Sequence, residues 1–108
     1  MNTCSGTKSS SDASQIEISK NLAGDLRDNK LYESAIEEYQ KILEFSNLEI
    51  LEQANINYLI ARIYFEDLQN YQEAAAYYLR AKTLNPDASF ASEASRNLVT
   101  SLEKMGHL

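Results

Sequence analysis

Several residue types that define common protein classes are scarce in this chain of 108 residues. It has a single cysteine, Cys4, so an intramolecular disulfide framework and a thiolate zinc site are both excluded. One proline, three glycines and no tryptophan argue against a turn-rich β-sandwich. No apolar run approaches the roughly 18 residues that a membrane-spanning helix needs. The 44% of hydrophobic residues suffices for one modest core.

Residues that support catalysis are equally rare. The single histidine, His107, lies next to the C-terminal residue, which is a poor position for a general base. There is no glycine-rich phosphate loop, and no histidine accompanies neighbouring carboxylates such as Glu37 and Glu38 to build a metal centre. We therefore predict no catalytic residue, no metal site and no cofactor. The net charge of -6 and the pI near 4.7 argue against nucleic acid as a partner.

The first thirteen residues differ in composition from the rest of the chain. Residues 1–13 are rich in serine and poor in apolar side chains, so burial cannot offset an ordering entropy of about 1–2 kcal/mol per residue. We predict a disordered tail without the apolar region of a secretory signal. Cys4 and the serine-rich stretch after it resemble the mature start of a bacterial lipoprotein, although residues 1–3 do not form a lipobox. Lipid attachment at Cys4 and a free thiol both remain open.

Residues 14–108 show the apolar periodicity of five consecutive helices with short connections, which is typical of an antiparallel all-α array. Three helix starts are predicted from capping pairs: Ser14 with Glu17, Ser46 with Glu49, and Asn70 with Glu73. The run Asn85-Pro86-Asp87 ends the fourth helix, because proline disfavours a helical residue before it, and provides Asp87 as the next N-cap. The fifth helix is predicted over 89–105, with Gly106 as its left-handed C-cap.

The second and fourth helices repeat one pattern at a constant offset. The aligned pairs are Tyr32 with Tyr71, Ala35 with Ala74, and Tyr39 with Tyr78. The first and third helices match at an offset that is shorter by one, with Ala23 on Ala61 and Leu26 on Tyr64. A fixed period in this range indicates stacked helical hairpins, each of which buries its apolar stripe against a neighbour.

These repeated residues resemble the tetratricopeptide repeat (TPR) family. The second unit carries the small and aromatic residues of the family's motif, followed by proline: Ala61, Tyr64, Ala74, Tyr78, Ala81 and Pro86. The first unit lacks the proline and has Leu26 and Ile42 at two signature positions. The resemblance implies an all-α, right-handed superhelical stack of antiparallel helix hairpins, with two TPR-like units plus a capping helix.

The resemblance also implies the boundaries of this domain, which we expect over 14–108. Unit one is expected over 14–48, unit two over 49–86, and the fifth helix over 88–106. Two interpretations of that helix stay open, a true cap and a truncated part of a longer array. The polar outer face favours the first, and the final EKMGHL, which resembles the turn into another second helix, favours the second.

In this family the first helices line a concave surface, so the resemblance implies that a partner segment binds there. The expected groove residues are Lys20, Asn21, Arg27, Asn55, Tyr58, Leu59, Arg62, Phe65, Arg96 and Asn97. With Lys104, five of the ten cations fall on this groove, which favours an acidic segment or a C-terminal carboxylate. The carboxylate clamp of chaperone adaptors is not expected, since Gly24 stands where its asparagine would be.

Two functions from different classes follow from the sequence. The first is a non-catalytic protein–protein interaction scaffold that binds a protein or peptide segment in the groove. The alternative is a structural subunit of a bacterial cell-envelope assembly, tethered to the membrane as a lipoprotein through Cys4 or self-associating through helix five. The compartment stays open between the cytoplasm and the periplasmic face of the envelope.

Overall fold

The computed structural model describes the backbone of residues 4–106 and the side chains of residues 12–106. The described backbone contains five α-helices and no strand: α1 (Cys4–Asp28), α2 (Tyr32–Leu43), α3 (Ile50–Arg62), α4 (Tyr71–Leu84) and α5 (Ala91–Lys104). A π-helical segment, Ile63–Asp67, continues α3. For these residues the predicted all-α class built from helical hairpins is confirmed.

The helices fall into two compact units. In the first unit, Met1–Ser46, α1 packs against α2. In the second unit, Asn47–Leu108, α4 packs against both α3 and α5. The division lies two residues before the expected boundary between 48 and 49, and the boundaries of the TPR-like domain stay predictions.

Two of the three predicted helix starts are wrong. α1 begins at Cys4, so Ser14 lies inside the helix. No proline lies between Cys4 and Ser14, and a helix continues through serines at small cost. α3 begins at Ile50, with Glu49 as its N-cap residue and no side-chain cap, so Ser46 is not the N-cap of this helix. The disorder of residues 1–13 stays a prediction.

The third predicted start is confirmed. Asn70 is the N-cap of α4, and its Oδ1 accepts a hydrogen bond of 3.2 Å from the backbone N–H of Glu73. α4 ends at Leu84, directly before the predicted stop Asn85-Pro86-Asp87. α5 is shorter than predicted and has Phe90, not Asp87, as its N-cap residue.

Small residues set the packing distance in both hairpins. Ala23 on α1 and Ala35 on α2 are fully buried, and so are Ala61 on α3 and Ala74 on α4. Small side chains let helix axes approach closely. In the second unit the two alanines form one cluster with Tyr78 and with Ala94 of α5.

The π segment explains why the offset between the first helices is one residue shorter than the offset between the second helices. Near the end of α1, the N–H of Asn29 donates to the carbonyl oxygen of Asp25, four residues earlier. At the equivalent place the N–H of Leu68 donates to Ile63, five residues earlier. One extra residue is therefore accommodated between Tyr64 and the next helix as a single widened turn.

Candidate functional site

Three of the predicted groove residues lie in the first unit, on α1. Asn21 is exposed, whereas Lys20 and Arg27 are half-buried and each interacts with another group. The side chain of Cys4 and all of His107 lie outside the described residues. A lipid attachment at Cys4, and with it the envelope subunit, therefore stays a prediction.

Tyr58 is the centre of the site in the second unit. Its ring stacks on Phe90, with centroids 4.4 Å apart and ring planes 5° apart. Its hydroxyl donates a hydrogen bond of 2.8 Å to Oε1 of Glu93, 35 residues away. Burial, and then this hydrogen bond, raise the pKa of the Tyr58 phenol, so it remains a donor at neutral pH. These contacts join α3 to the start of α5.

Tyr78 lies beneath Tyr58 and is fully buried. Its ring contacts Tyr58 at 6.4 Å and Phe65 at 6.0 Å between centroids. Its hydroxyl accepts a hydrogen bond of 3.1 Å from Nδ2 of Asn97 on α5. Burial raises the pKa of Tyr78 to about 12. Tyr58, Phe65, Tyr78 and Phe90, which we call the aromatic cluster, thus connect α3, α4 and α5.

Arg62 covers one side of this cluster. Its guanidinium carbon lies 5.8 Å from the centroid of the Tyr58 ring. Its Nε and Nη2 donate to the two carboxylate oxygens of Glu66, at 3.2 and 3.3 Å. This hydrogen-bonded carboxylate raises the pKa of Arg62. The fork geometry holds the guanidinium in place.

Two carboxylates whose pairing the sequence interpretation did not predict lower the basic character of this surface. Glu66 pairs with Arg62, and Glu93 accepts from Tyr58. The spacing of four residues between Arg62 and Glu66 is a local signal that could have revealed the first pair. No local signal joins Tyr58 to Glu93, because their separation in sequence is bridged by helix packing. Counting cations alone therefore overstated the positive charge beside Tyr58.

The comparison with known families concerns this same unit. A family model described as tetratricopeptide repeat matches residues 54–88, which cover most of α3, the π segment and α4. Similarity to the tetratricopeptide repeat family is thus shown for this one segment. The predicted resemblance is confirmed for this repeat, which includes five of the predicted groove residues: Asn55, Tyr58, Leu59, Arg62 and Phe65. Neither the curated proteins nor the solved structures yielded a match.

The structure connects four of the predicted groove residues of the second unit through the aromatic cluster. Tyr58, Arg62, Phe65 and Asn97 all contact the aromatic cluster or belong to it. The other three lie on the same two helices: Asn55 and Leu59 are half-buried on α3, and Arg96 is exposed on α5. Asn55 donates a long hydrogen bond of 3.5 Å to Glu52.

Two further kinds of feature, a metal-ligand cluster and a membrane-spanning helix, were sought among the described residues. Between residues 12 and 106 no three histidine, cysteine, aspartate or glutamate side chains come close enough to hold a metal ion. The helices of the described segment include none with the length and apolar character needed to cross a membrane. A tetratricopeptide repeat is in general a protein–protein interaction scaffold, and members of this family typically have no catalytic role.

Proposed function

We propose that this chain is a non-catalytic scaffold that binds a segment of a partner protein on the surface of the second unit where α3 and α5 meet. The fixed position of Tyr58 supports this most directly. Its ring is held by Phe90 and its hydroxyl by Glu93, at 4.4 and 2.8 Å. A side chain that is already ordered loses little conformational entropy when a partner binds. Half-buried aromatic residues of this kind are frequent anchors of protein interfaces.

The chemistry of the surrounding residues defines the partner segment. Leu59, half-buried one position after Tyr58, offers apolar contact, and Asn55 offers an amide for backbone hydrogen bonds. Arg62 is paired with Glu66, so the exposed Arg96 is the better candidate to bind a carboxylate of the partner. We infer a segment that places an apolar side chain beside Tyr58 and an acidic residue beside Arg96.

A displayed library of random peptides tests this assignment without a known partner. Peptides selected on the whole chain should bind Leu59→Asp and Arg96→Glu at least tenfold more weakly, because the first introduces charge into the apolar contact and the second reverses the proposed cation. The matched control is Arg80→Glu, a likewise exposed arginine on α4, which should bind them normally. If all three variants bind the selected peptides like the unmodified chain, the assignment of this surface is wrong.

The structure also decides which substitutions are informative at Tyr58 and Arg62. Tyr58→Ala would leave Phe90 unstacked and Glu93 without its donor, so it would disturb folding as well as binding. Arg62→Glu would place two carboxylates one helical turn apart. Tyr58→Phe keeps the stacked ring and removes only the hydroxyl. Unchanged helical circular dichroism in each variant confirms that a loss of binding is not a loss of folding.

A further inference from the structure

The end of α5 reproduces the end of α1. Two backbone hydrogen bonds at the end of α1 have counterparts at the end of α5, and each counterpart joins residues with the same separation in sequence. The equivalent residues of α1 and α5 are separated by twice the offset between α1 and α3. All four bonds measure 2.9–3.0 Å. The bonds are Asn29 to Asp25 and Lys30 to Arg27 in α1, and Met105 to Ser101 and Gly106 to Glu103 in α5. α1 is the first helix of a hairpin, so its closing turn belongs to that type of helix.

Backbone torsion angles agree with this equivalence. Among the described residues, positive φ occurs at Lys30 (65°), Gln69 (53°) and Gly106 (79°). Lys30 and Gln69 each stand two residues before the first residue of a second helix, Tyr32 or Tyr71. Gly106 follows the end of α5 just as Lys30 follows the end of α1. α5 therefore has the local structure of a first helix.

Among residues 12–106, one side of α5 has no second helix packed on it as α2 packs on α1 and α4 on α3. Val99 follows Ala61 in sequence at the same offset by which Ala61 follows Ala23. Ala23 and Ala61 are fully buried, whereas Val99 is 46% exposed. Ala61 forms a cluster with Ala74 and Tyr78 of the second helix α4. α5 contributes Ala94 to that cluster, so Val99 lies on a different side of α5.

We propose that the surface of α5 centred on Val99 binds an amphipathic helix of a partner protein, in the way that α2 covers α1. The partner helix should carry a small residue and, four positions later, an aromatic residue, because α2 has Ala35 and Tyr39 at this spacing and α4 has Ala74 and Tyr78. This surface continues the first-to-second helix interface already present in both hairpins.

This site differs from the surface in the proposed function, and one experiment can separate the two. A fluorescein-labelled peptide of residues 31–45, which includes α2 and its flanking residues, is titrated with the whole chain, and binding is followed by fluorescence anisotropy. We expect saturable binding in the micromolar range, because a free peptide of this length must also fold into a helix. Val99→Asp should weaken binding at least tenfold, and Val99→Ala, which restores the residue of the other first helices, should not.

Matched controls test whether the contact is specific. Leu79→Asp changes a similarly exposed apolar residue of α4 and should leave peptide binding unchanged. Leu59→Asp, which tests the proposed function, should also leave it unchanged, so failure of one proposal does not imply failure of the other. A peptide with Ala35→Leu should bind less well, since the larger side chain prevents close approach.

Three outcomes would overturn this inference. The first is the absence of binding at peptide concentrations up to about 100 times the expected micromolar Kd. The second is equal weakening by Val99→Asp and Leu79→Asp. The third is a dimer, seen by sedimentation velocity, that dissociates when either Val99→Asp or Leu22→Asp is introduced. In that case α1 of a second copy, and not a partner protein, would bind the surface around Val99.

Discussion

The two hairpins of this chain are built from one pattern, but the second is longer than the first by one residue between its two helices. In the first hairpin, the N–H of Leu31 donates to the carbonyl oxygen of Leu26, five residues earlier, and in the second hairpin the N–H of Asn70 donates to that of Tyr64, six residues earlier. The residues on both sides keep their roles, since Ala23 and Ala61 are equally buried and Lys30 and Gln69 both have positive φ. A repeat therefore tolerates an insertion where one helical turn can widen without moving the buried face.

The hairpins also differ in the contacts that stabilise equivalent positions. The N-cap residue of α4 is Asn70, whose side chain caps the helix, whereas the N-cap residue of α2 is Leu31, which provides no side-chain cap. Tyr78 lies in the aromatic cluster and bonds to Asn97, and its equivalent Tyr39 retains slight exposure. The same pattern thus folds into two hairpins with different local stabilisation, and substitutions at matched positions can measure the difference.

The largest expected effect comes from removing the central tyrosine of each hairpin. Tyr78→Ala should lower the free energy of unfolding by about 3–5 kcal/mol, because it leaves a cavity among three helices. Tyr39→Ala should cost less, about 2–3 kcal/mol, since only α1 and α2 form the first hairpin. Urea denaturation followed by circular dichroism measures both values. Equal losses would show that the aromatic cluster adds no stability to the second hairpin.

Deletion of one residue tests the origin of the π segment. Deletion of Glu66 should cost no more than about 1 kcal/mol, because the widened turn becomes an ordinary one and Asp67 then stands four residues after Arg62. Deletion of Asp28 at the matching place in α1 should cost about 3 kcal/mol, since no surplus residue is available there and the buried face must rotate. The same denaturation assay compares the two variants. A larger loss for the Glu66 deletion would contradict the insertion.

The buried phenol of Tyr78 makes stability depend on alkaline pH. Its pKa rises from the usual value of 10 to about 12 in the folded chain, so the unfolded chain loses this proton first. The contribution is complete below pH 10 and decreases as the pH rises towards 12, by about 1–3 kcal/mol. Urea midpoints at several pH values, with absorbance at 295 nm to follow phenol ionisation, measure this decrease. Tyr78→Phe is the control, and an unchanged slope in that variant would assign the decrease to other groups.

Exchanging the helix caps should have the smallest effect. Asn70→Ala should destabilise the second hairpin by about 1 kcal/mol, because the N–H of Glu73 loses its acceptor. Leu31→Asn should stabilise the first hairpin by a similar amount, since it supplies the cap that α2 lacks. Thermal unfolding midpoints of the two variants should shift in opposite directions. A shift of the same sign in both would show that these turns are not equivalent.

Local signals in the sequence predicted part of this fold correctly. Asn70 and Pro86 bound α4 because a cap and a proline act on their nearest backbone neighbours. Ser14 and Ser46 have a similar spacing to glutamate, yet neither begins a helix. A capping pair is compatible with a helix start but does not compel one, since the residues before it also decide where the helix begins.

The sequence predicted which residues belong to the candidate site better than it predicted the contacts between them. Tyr58 and Arg62 were expected to face a partner, and the structure shows that each is also held by an intramolecular carboxylate. Glu93 lies 35 residues from Tyr58, so periodicity within one helix could not connect them. Tyr58 and Glu93 become neighbours only because of the way in which α3 and α5 pack.

The sequence by itself determined that the described chain is all-α, that its hairpins repeat, and that the second repeat resembles the tetratricopeptide type. These properties follow from the spacing of small and apolar residues along single helices. The tertiary structure alone decided where the extra residue is accommodated and that Glu93 holds Tyr58. Those features depend on distances between residues of different turns and helices, which only packing sets.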